Sequence, residues 1–169
     1  MLNPMFDPGT TNYTAVNSFP NNPVCVTALS ADTNATLALS FNGGAFVQLT
    51  NGVASAPRTL NLNPPLNTVA VQVTAQNPAF AQAYTVAVTL QPSQTATLLT
   101  CGVSANTLTL TWPADHTGYR LVVRTNTLAN GSGSNSNDWM TVAGTTTNNL
   151  VTLPLDKLIK SKFYRLVNP

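Results

Sequence analysis

The chain has 169 residues, of which 7 are lysine or arginine and 5 are aspartate, so 7% of positions are charged against about 25% in an ordinary soluble domain. It has no glutamate but 26 threonines, 20 asparagines and 10 serines, a composition that disfavours long helices. A net charge of +2 does not supply the phosphate contacts of a nucleic-acid-binding protein, and 43% hydrophobic residues exclude a disordered chain.

Apolar residues recur at every second position over much of the chain, a pattern typical of β-strands that bury one face. The clearest examples are residues 69–75, 84–90 and 107–112. Turn-forming Asn, Gly and Pro residues separate these runs, as in a protein built from many short strands. We therefore predict an all-β protein of β-sandwiches with less than about a tenth helix, in which only residues 155–161 form a helical turn.

The same alternation predicts which side chains form the core. The residues that we expect to be buried are Val26, Leu37, Leu39, Val69, Val71, Val73, Tyr84, Val86, Val88, Leu108, Leu110, Trp112, Leu121, Val123, Phe163 and Leu166. A shift of register by one residue would expose a whole set of these side chains.

A domain boundary is predicted at residues 91–93, where a strong strand ends and a polar segment with Pro92 begins. It places one domain at residues 1–91 and a second at 92–169. Charge is unevenly spread, since residues 59–114 hold no charged side chain. Four basic residues instead gather near the end of the chain, at Lys157, Lys160, Lys162 and Arg165. In this position they more often guard a sheet edge than bind an anion.

Short motifs in the first half follow a recognisable order. Residues 6–14 read F-D-P-G-T-T-N-Y-T, residues 24–28 read V-C-V-T-A, residues 42–44 read N-G-G, and residues 66–77 read L-N-T-V-A-V-Q-V-T-A-Q-N before Y-T-V-A-V at 84–88. This order resembles the cadherin-like β-sandwich repeat found in tandem in large secreted bacterial proteins, over nearly all of residues 3–90. The aspartates lack the spacing of a calcium loop, so the resemblance does not extend to calcium-dependent junctions.

The second half carries T-L-T-L-T-W-P-A-D-H-T-G-Y-R-L at residues 107–121, the Asp138-Trp139 pair and F-Y-R-L-V-N-P at residues 163–169. These motifs resemble a C-terminal β-sandwich module of large secreted bacterial surface proteins, over residues 95–169. The two resemblances together imply tandem immunoglobulin-like or cadherin-like β-sandwiches. No catalytic residue comes with either of them.

The cadherin-like repeat usually opens with an additional strand ahead of the proline-glycine turn, and this chain starts where that strand would finish. The resemblance therefore implies either a trimmed chain or a sandwich with an open groove. We expect residues 1–6 to pair only briefly, with their own sheet or with a neighbouring subunit, because Pro4 interrupts them. The expected subunit contact joins Met1, Leu2, Met5 and Phe6 to Phe163 and Tyr164 of a neighbouring copy.

The single histidine, His116, follows Asp115 in a predicted turn, where an oriented imidazole is one form of acid or base. The chain has no nucleophile elbow, phosphate loop or dinucleotide fingerprint beside it. We expect turn hydrogen bonds instead, and a change in stability of about 1 kcal/mol or less for His116→Ala. One histidine and two distant cysteines do not form a zinc site, so we predict no enzyme, no cofactor and no metal.

The two cysteines, Cys25 and Cys101, lie on predicted strands of different domains. In a secreted chain they permit one disulfide, which would contribute about 4 kcal/mol for so long a loop. The alternative is two buried free thiols, because cysteine is among the most buried residue types.

A polar loop at residues 130–138 ends beside an aromatic residue, and aromatic-rimmed loops bind sugars. Its candidate ligand residues are Asn130, Asn135, Asp138 and Trp139. A single tryptophan next to a hairpin loop is more often part of the core.

These observations favour a non-catalytic extracellular structural protein that forms a filament or surface layer with copies of itself. Low charge leaves little repulsion between copies, and an unpaired strand edge accepts a strand from a neighbour. The alternative is an adhesin or carbohydrate-binding module that recognises a cell-surface glycan. The two resemblances imply a secreted protein, extracellular or at the cell surface, whose signal peptide is not present in this chain. No run approaches the roughly 18 apolar residues of a membrane span, so we expect no membrane insertion.

Overall fold

The computed structural model describes residues 1–19, 21–62, 65–126, 131–132, 135–155 and 161–169. Within these residues the chain forms eleven strands and two three-residue 3₁₀ turns, and it forms no α-helix. The contacts divide it into two compact units, Met1–Gln91 and Pro92–Pro169. The all-β fold is therefore confirmed, whereas most of the predicted helical turn at residues 155–161 lies outside the described residues.

The first unit is built on one five-stranded sheet. Its strands are β1 (Asn12–Ser18), β2 (Thr36–Phe41), β3 (Val47–Leu49), β4 (Leu66–Thr74) and β5 (Ala81–Gln91). They lie in the order β1-β5-β4-β2-β3. The pairings are antiparallel except for β1 and β5, which run parallel over seven residue pairs from Asn12–Thr85 to Ser18–Gln91.

Alternating residues of this sheet form the first core. Leu37, Leu39, Leu49, Val69, Val88 and Leu90 are buried, and Leu60 joins them from outside the sheet. Val24, Val26 and Ala28 pack onto the same core. The segment at residues 24–28 therefore forms the facing layer of the sandwich.

This facing layer is less regular than the sequence predicts. Residues 24–28 were expected to form a strand, but they make one isolated bridge, between Val24 and Arg58. The Val26 amide donates to the Ser55 hydroxyl at 3.0 Å rather than to a backbone carbonyl. A side chain thus interrupts the ladder that would make this pairing a strand.

Asparagine side chains bind the loops of the first unit in place of strand pairing. Asn22 accepts from the Leu60 amide at 2.8 Å and donates to the Leu60 carbonyl at 3.1 Å. Asn51 bonds both backbone groups of Ser30 in the same way. Each side-chain amide thus imitates one residue of a neighbouring strand, and we call these pairs asparagine bridges.

The third asparagine bridge is fully buried. Asn67, at the start of β4, accepts from the Asn61 amide at 2.7 Å and donates to the Asn61 carbonyl at 3.0 Å. Its amide also donates to the Pro65 carbonyl at 3.1 Å, and its oxygen accepts from the Asn42 side chain at 3.2 Å. Asn67 therefore joins the β4 strand, the residue 61–65 loop and the turn after β2.

The second unit is a sandwich of two three-stranded sheets. The first contains β6 (Thr100–Ser104), β7 (Thr107–Thr111) and β10 (Leu150–Pro154) in the order β10-β7-β6. The second contains β8 (Arg120–Thr125), β9 (Met140–Thr141) and β11 (Lys162–Val167) in the order β11-β8-β9. Leu110, Trp112 and Leu121 are buried between them.

Every residue expected to be buried is buried or half-buried, but Phe163 is a wrong prediction for the core, because it lies on the outer face of β11. Trp112 in particular lies in the second core. Because directly opposite residues of paired strands share a face, the alternation assigned β2, β4, β5 and β7 their correct faces. In β11 it did not, because Phe163 and Leu166 are three residues apart and lie on opposite faces.

The Asn67 bridge gives a first test. Asn67→Asp keeps the shape of the side chain but replaces a donor of two hydrogen bonds with an acceptor that faces two carbonyl oxygens. We expect it to lower the free energy of unfolding of the first unit by about 2–4 kcal/mol. Urea denaturation followed by circular dichroism measures this change.

Asn61→Asp is the matched control, because the Asn61 side chain is exposed and only its backbone groups take part in the bridge. It should shift stability by less than about 0.5 kcal/mol. Equal effects of the two substitutions would contradict the role given to Asn67.

Candidate functional site

The N-terminal segment, residues 1–6, lies along the outer edge of β1. The Asn3 amide and carbonyl each bond the backbone of Thr14 at 2.8 Å, which forms a single antiparallel bridge. Phe6 packs on Tyr13, with ring centres 5.8 Å apart, and on Tyr84 at 5.7 Å. The segment is therefore attached to its own unit at two points.

A turn continues this attachment into β1. The Asp7 carboxylate accepts from the Gly9 amide at 2.7 Å, an Asx-turn that explains the Asp-Pro-Gly sequence. The buried Tyr13 hydroxyl lies 2.6 Å from the Asp7 carbonyl oxygen and 2.7 Å from that of Thr10. The motif at residues 6–14 therefore fixes where the N-terminal segment leaves the sheet.

Although its backbone is attached, the N-terminal segment exposes its apolar side chains. Met5 is 86% exposed, Phe6 is 55% exposed, and Met1 is fully exposed. Val16 on β1 is also exposed, and the antiparallel bridge at Asn3 directs the chain back towards it. We call these exposed apolar side chains along the edge of β1, namely Met1, Met5, Phe6 and Val16, the apolar patch, and exposed apolar groups gathered in this way are typical of an interaction surface.

The edge of β1 is only partly closed. Asn3 covers Thr14, and the Ser18 carbonyl accepts from the Asn21 amide at 2.9 Å. Val16 lies between them, and its backbone groups point the same way because alternate residues of a strand share a hydrogen-bonding side. Among the described residues none bonds the Val16 backbone on this side.

Phe163 and Tyr164, which we expected in the same subunit contact, lie on opposite faces of the C-terminal strand β11. Tyr164 packs into the second core, whereas Phe163 lies on the opposite face of the sheet. Burial raises the pKa of the Tyr164 phenol above its usual value of 10.0. Of the two residues, Phe163 is the one that offers its side chain outside the core.

The candidate ligand loop lies on the outer face of the β11-β8-β9 sheet, and Asn130 falls outside the described residues. Asp138 forms an ion pair with Arg124 at 2.9 Å. The guanidinium carbon of Arg165 lies 4.3 Å from the centre of the Trp139 ring. The Asn135 side chain accepts from the Asn137 amide at 3.1 Å. These contacts occupy groups that a sugar would need, so they support a structural role.

The Asp115–His116 pair forms the predicted hydrogen bond in a 3₁₀ turn at Ala114–His116, but His116 is only 2% exposed. One ring nitrogen lies 2.7 Å from the Asp115 carboxylate and the other 2.8 Å from the Thr95 carbonyl. Both ring nitrogens of His116 therefore have a hydrogen-bond partner within the protein. His116 therefore holds the start of the second unit, where a substrate has no access to it.

Both cysteines are free and exposed. The expectation of buried thiols is wrong for both, and no disulfide joins them. Cys25 lies in the irregular facing layer rather than on a strand, and Cys101 lies on β6, which is exposed along its whole length.

The described residues offer neither a metal centre nor a membrane-spanning helix. No group of three or more His, Cys, Asp or Glu side chains is arranged to hold a metal ion. No helix in the same residues has the length and apolar character needed to cross a bilayer.

Comparison with known proteins identifies the first unit. The family model of the cadherin-like beta sandwich domain matches residues 1–91. The chain belongs to this family. A search of curated proteins finds no match. Cadherin-like domains are generally non-catalytic and typically extracellular, and they serve adhesion or structure. The resemblance of the second unit to a C-terminal surface-protein module stays a prediction.

Sequence reasoning missed Val16, which belongs to the apolar patch, and Asn3, whose backbone attaches the N-terminal segment to the cadherin-like domain. The signal for Val16 was present, because it occupies a position in N-Y-T-A-V-N-S where alternation calls for a polar residue. The sequence does not predict the bridge at Asn3, because a single bridge in an irregular segment leaves no periodic pattern of apolar residues.

The burial of His116 changes its expected effect on stability. His116→Ala removes two hydrogen bonds and leaves the Thr95 carbonyl unpaired, so we expect a loss of about 2–4 kcal/mol rather than 1 kcal/mol. Tryptophan fluorescence during denaturation reports it, because both tryptophans lie in the second unit. Thr117→Ala, on the same turn, should cost less than about 1 kcal/mol, and a similarly small loss for His116→Ala would contradict this role.

Burial of Tyr164 predicts a pH dependence. A phenol whose pKa is raised on folding stays neutral in the folded state at a pH where the unfolded chain ionises, so stability falls as pH rises above about 10. Tyr164→Phe should reduce this fall and leave stability at pH 7 within about 1 kcal/mol. Fluorescence-detected denaturation at pH 8 and at about pH 10.5 tests it, and identical pH profiles for both proteins would refute it.

Proposed function

We propose that the protein is a non-catalytic extracellular structural subunit that forms a filament or surface layer with copies of itself. The observation that carries this proposal is the apolar patch of the N-terminal segment. Its backbone is held in place by Asn3, while Met1, Met5 and Phe6 remain exposed beside an incompletely paired strand. Covering an ordered apolar surface of this kind with a partner removes it from water, which lowers the free energy of the complex.

The partner surface that we propose is the C-terminal strand β11 of a neighbouring copy. β11 bonds β8 on one side and is the last strand of its sheet on the other. Because Lys162 and Arg165 on β11 discourage extended strand pairing, we propose only a brief backbone contact at this edge, in keeping with the short N-terminal segment that Pro4 interrupts. Phe163 adds an apolar side chain on the outer face of that strand.

This contact joins different surfaces of two copies. After two copies pair head to tail, each still has one of the two contact surfaces free. The contact therefore repeats along a chain of subunits and forms an open filament unless the rotation closes a ring. The low net charge favours such growth, because each added subunit meets little repulsion.

The test is to place charge on the patch. Met5→Asp introduces a carboxylate at a side chain that is 86% exposed, and we expect association to weaken at least about tenfold because the charge would be desolvated in the contact. Deleting residues 1–5 should abolish assembly and leave the second unit folded. Sedimentation velocity and negative-stain microscopy of full-length protein measure both effects.

Leu29→Asp is the matched control, since Leu29 is a similarly exposed apolar residue of the same unit outside the patch. It should leave assembly unchanged. A wild-type protein that stays monomeric at high concentration, or a Met5→Asp variant that assembles normally, would refute the proposal.

A further inference from the structure

The edge strand β6 differs from the other sheet edges of the second unit. β11 carries Lys162 and Arg165, β9 has two residues, and β10 ends in Pro154, all features that discourage strand pairing. β6 reads T-C-G-V-S and has neither charge nor proline. Among the described residues, it is the one edge of this unit that no such feature protects.

The core-facing side of β6 is also uncovered. Cys101 and Val103 stand opposite Leu110 and Leu108, so their side chains share the face that forms the second core. Leu110 is buried, yet Val103 is 66% exposed and Cys101 is exposed as well. The opposing sheet therefore covers β7 and stops short of β6.

The hydrogen-bonding direction along β6 follows from its neighbours. The Trp112 amide donates to the Asn149 carbonyl at 3.1 Å, so the even-numbered residues of β7 bond towards β10 and the odd-numbered ones towards β6. Thr100, Gly102 and Ser104 pair with those odd-numbered residues. The backbone groups of Cys101 and Val103 must therefore point outwards, away from the sheet.

We propose that β6 pairs antiparallel with β6 of a second copy of this chain, about a two-fold axis at Gly102. In this register Cys101 of each copy faces Val103 of the other, and outward-pointing groups meet to form about four backbone hydrogen bonds. The pairing joins two three-stranded sheets into one sheet of six. It also brings the exposed Cys101 and Val103 side chains of the two copies together.

Three observations select a second copy as the occupant. The strand is self-complementary, because two outward-facing residues lie symmetrically about Gly102. Residues 59–114 carry no charge, so two copies meet here without repulsion. Gly102 has no atom within 4 Å of the position of a Cβ, so the axis is open for close approach. A two-fold contact of this kind closes on itself and forms a pair.

This inference rests on the proposed function in that both require association between copies, but it uses a different surface. The N-terminal contact extends a chain of subunits, whereas β6 pairing links two subunits side by side. The two contacts together would connect filaments laterally into a layer.

Cross-linking tests the axis directly in the full-length chain. In a background with Cys25→Ser and Cys101→Ser, Gly102→Cys places two thiols opposite each other with Cα atoms about 4.5 Å apart, within the range of a disulfide. Oxidised glutathione is the oxidant: it takes up two electrons and two protons as the two thiols join, and it leaves as two reduced glutathione molecules. We expect a covalent dimer on a non-reducing gel.

Ser104→Cys in the same background is the control. It lies on the same strand and face, but its two copies would be about 13 Å apart, so it should give no more than a tenth of the cross-linked dimer. Equal cross-linking of the two variants, or none of Gly102→Cys while the protein still associates, would overturn the β6 axis and leave the proposed function standing.

A second variant tests the contact without cysteine chemistry. Val103→Lys should weaken pairing at least about tenfold in sedimentation equilibrium, because it places a charge on the unprotected edge. Leu150→Lys, on the opposite edge of the same sheet, should not. If Met5→Asp abolishes association and Val103→Lys leaves it unchanged, β6 pairing is wrong; if wild-type protein is monomeric, both proposals fail.

Discussion

The facing layer of the first unit depends on one interaction, the pairing of an asparagine side chain with both backbone groups of a single residue. Asn22, Asn51 and Asn67 each form such a bridge, with Leu60, Ser30 and Asn61 respectively. The buried backbone of a loop needs a hydrogen-bonding partner as much as that of a strand does. These asparagines supply it, which allows Leu60 and Val26 to reach the core from segments that are not strands.

These bridges account for a chain that is rich in asparagine and poor in charged residues. An amide side chain donates and accepts without carrying charge, so it satisfies buried backbone at a lower desolvation cost than an aspartate or a lysine would. A fold stabilised in this way needs few ionic groups. The consequence is a surface with few charges to protect its sheet edges, and the proposed association between copies rests on this property.

Much of the fold could be predicted, because a strand leaves a period of two in the sequence. The alternation in β4, β5 and β7 identified Val69, Val88 and Leu110 as core residues. The facing layer could not be predicted, since hydrogen bonds from Asn22 or Ser55 to distant backbone have no period. The burial of His116 was missed for a similar reason, because its partner Thr95 lies 21 residues away. The exposure of β6 depends on how far the opposing sheet extends, which no local pattern records.

The parallel pairing of β1 and β5 has a mechanical consequence. β1 follows the N-terminal segment and β5 ends the first unit at Gln91, so a pull applied to the two ends of this unit draws the two strands in opposite directions along their length. All seven residue pairs between them then bear the load together in shear, whereas a hairpin pulled at its open end separates one pair at a time. The first unit is therefore built to resist tension along the axis on which a chain of such subunits would transmit it.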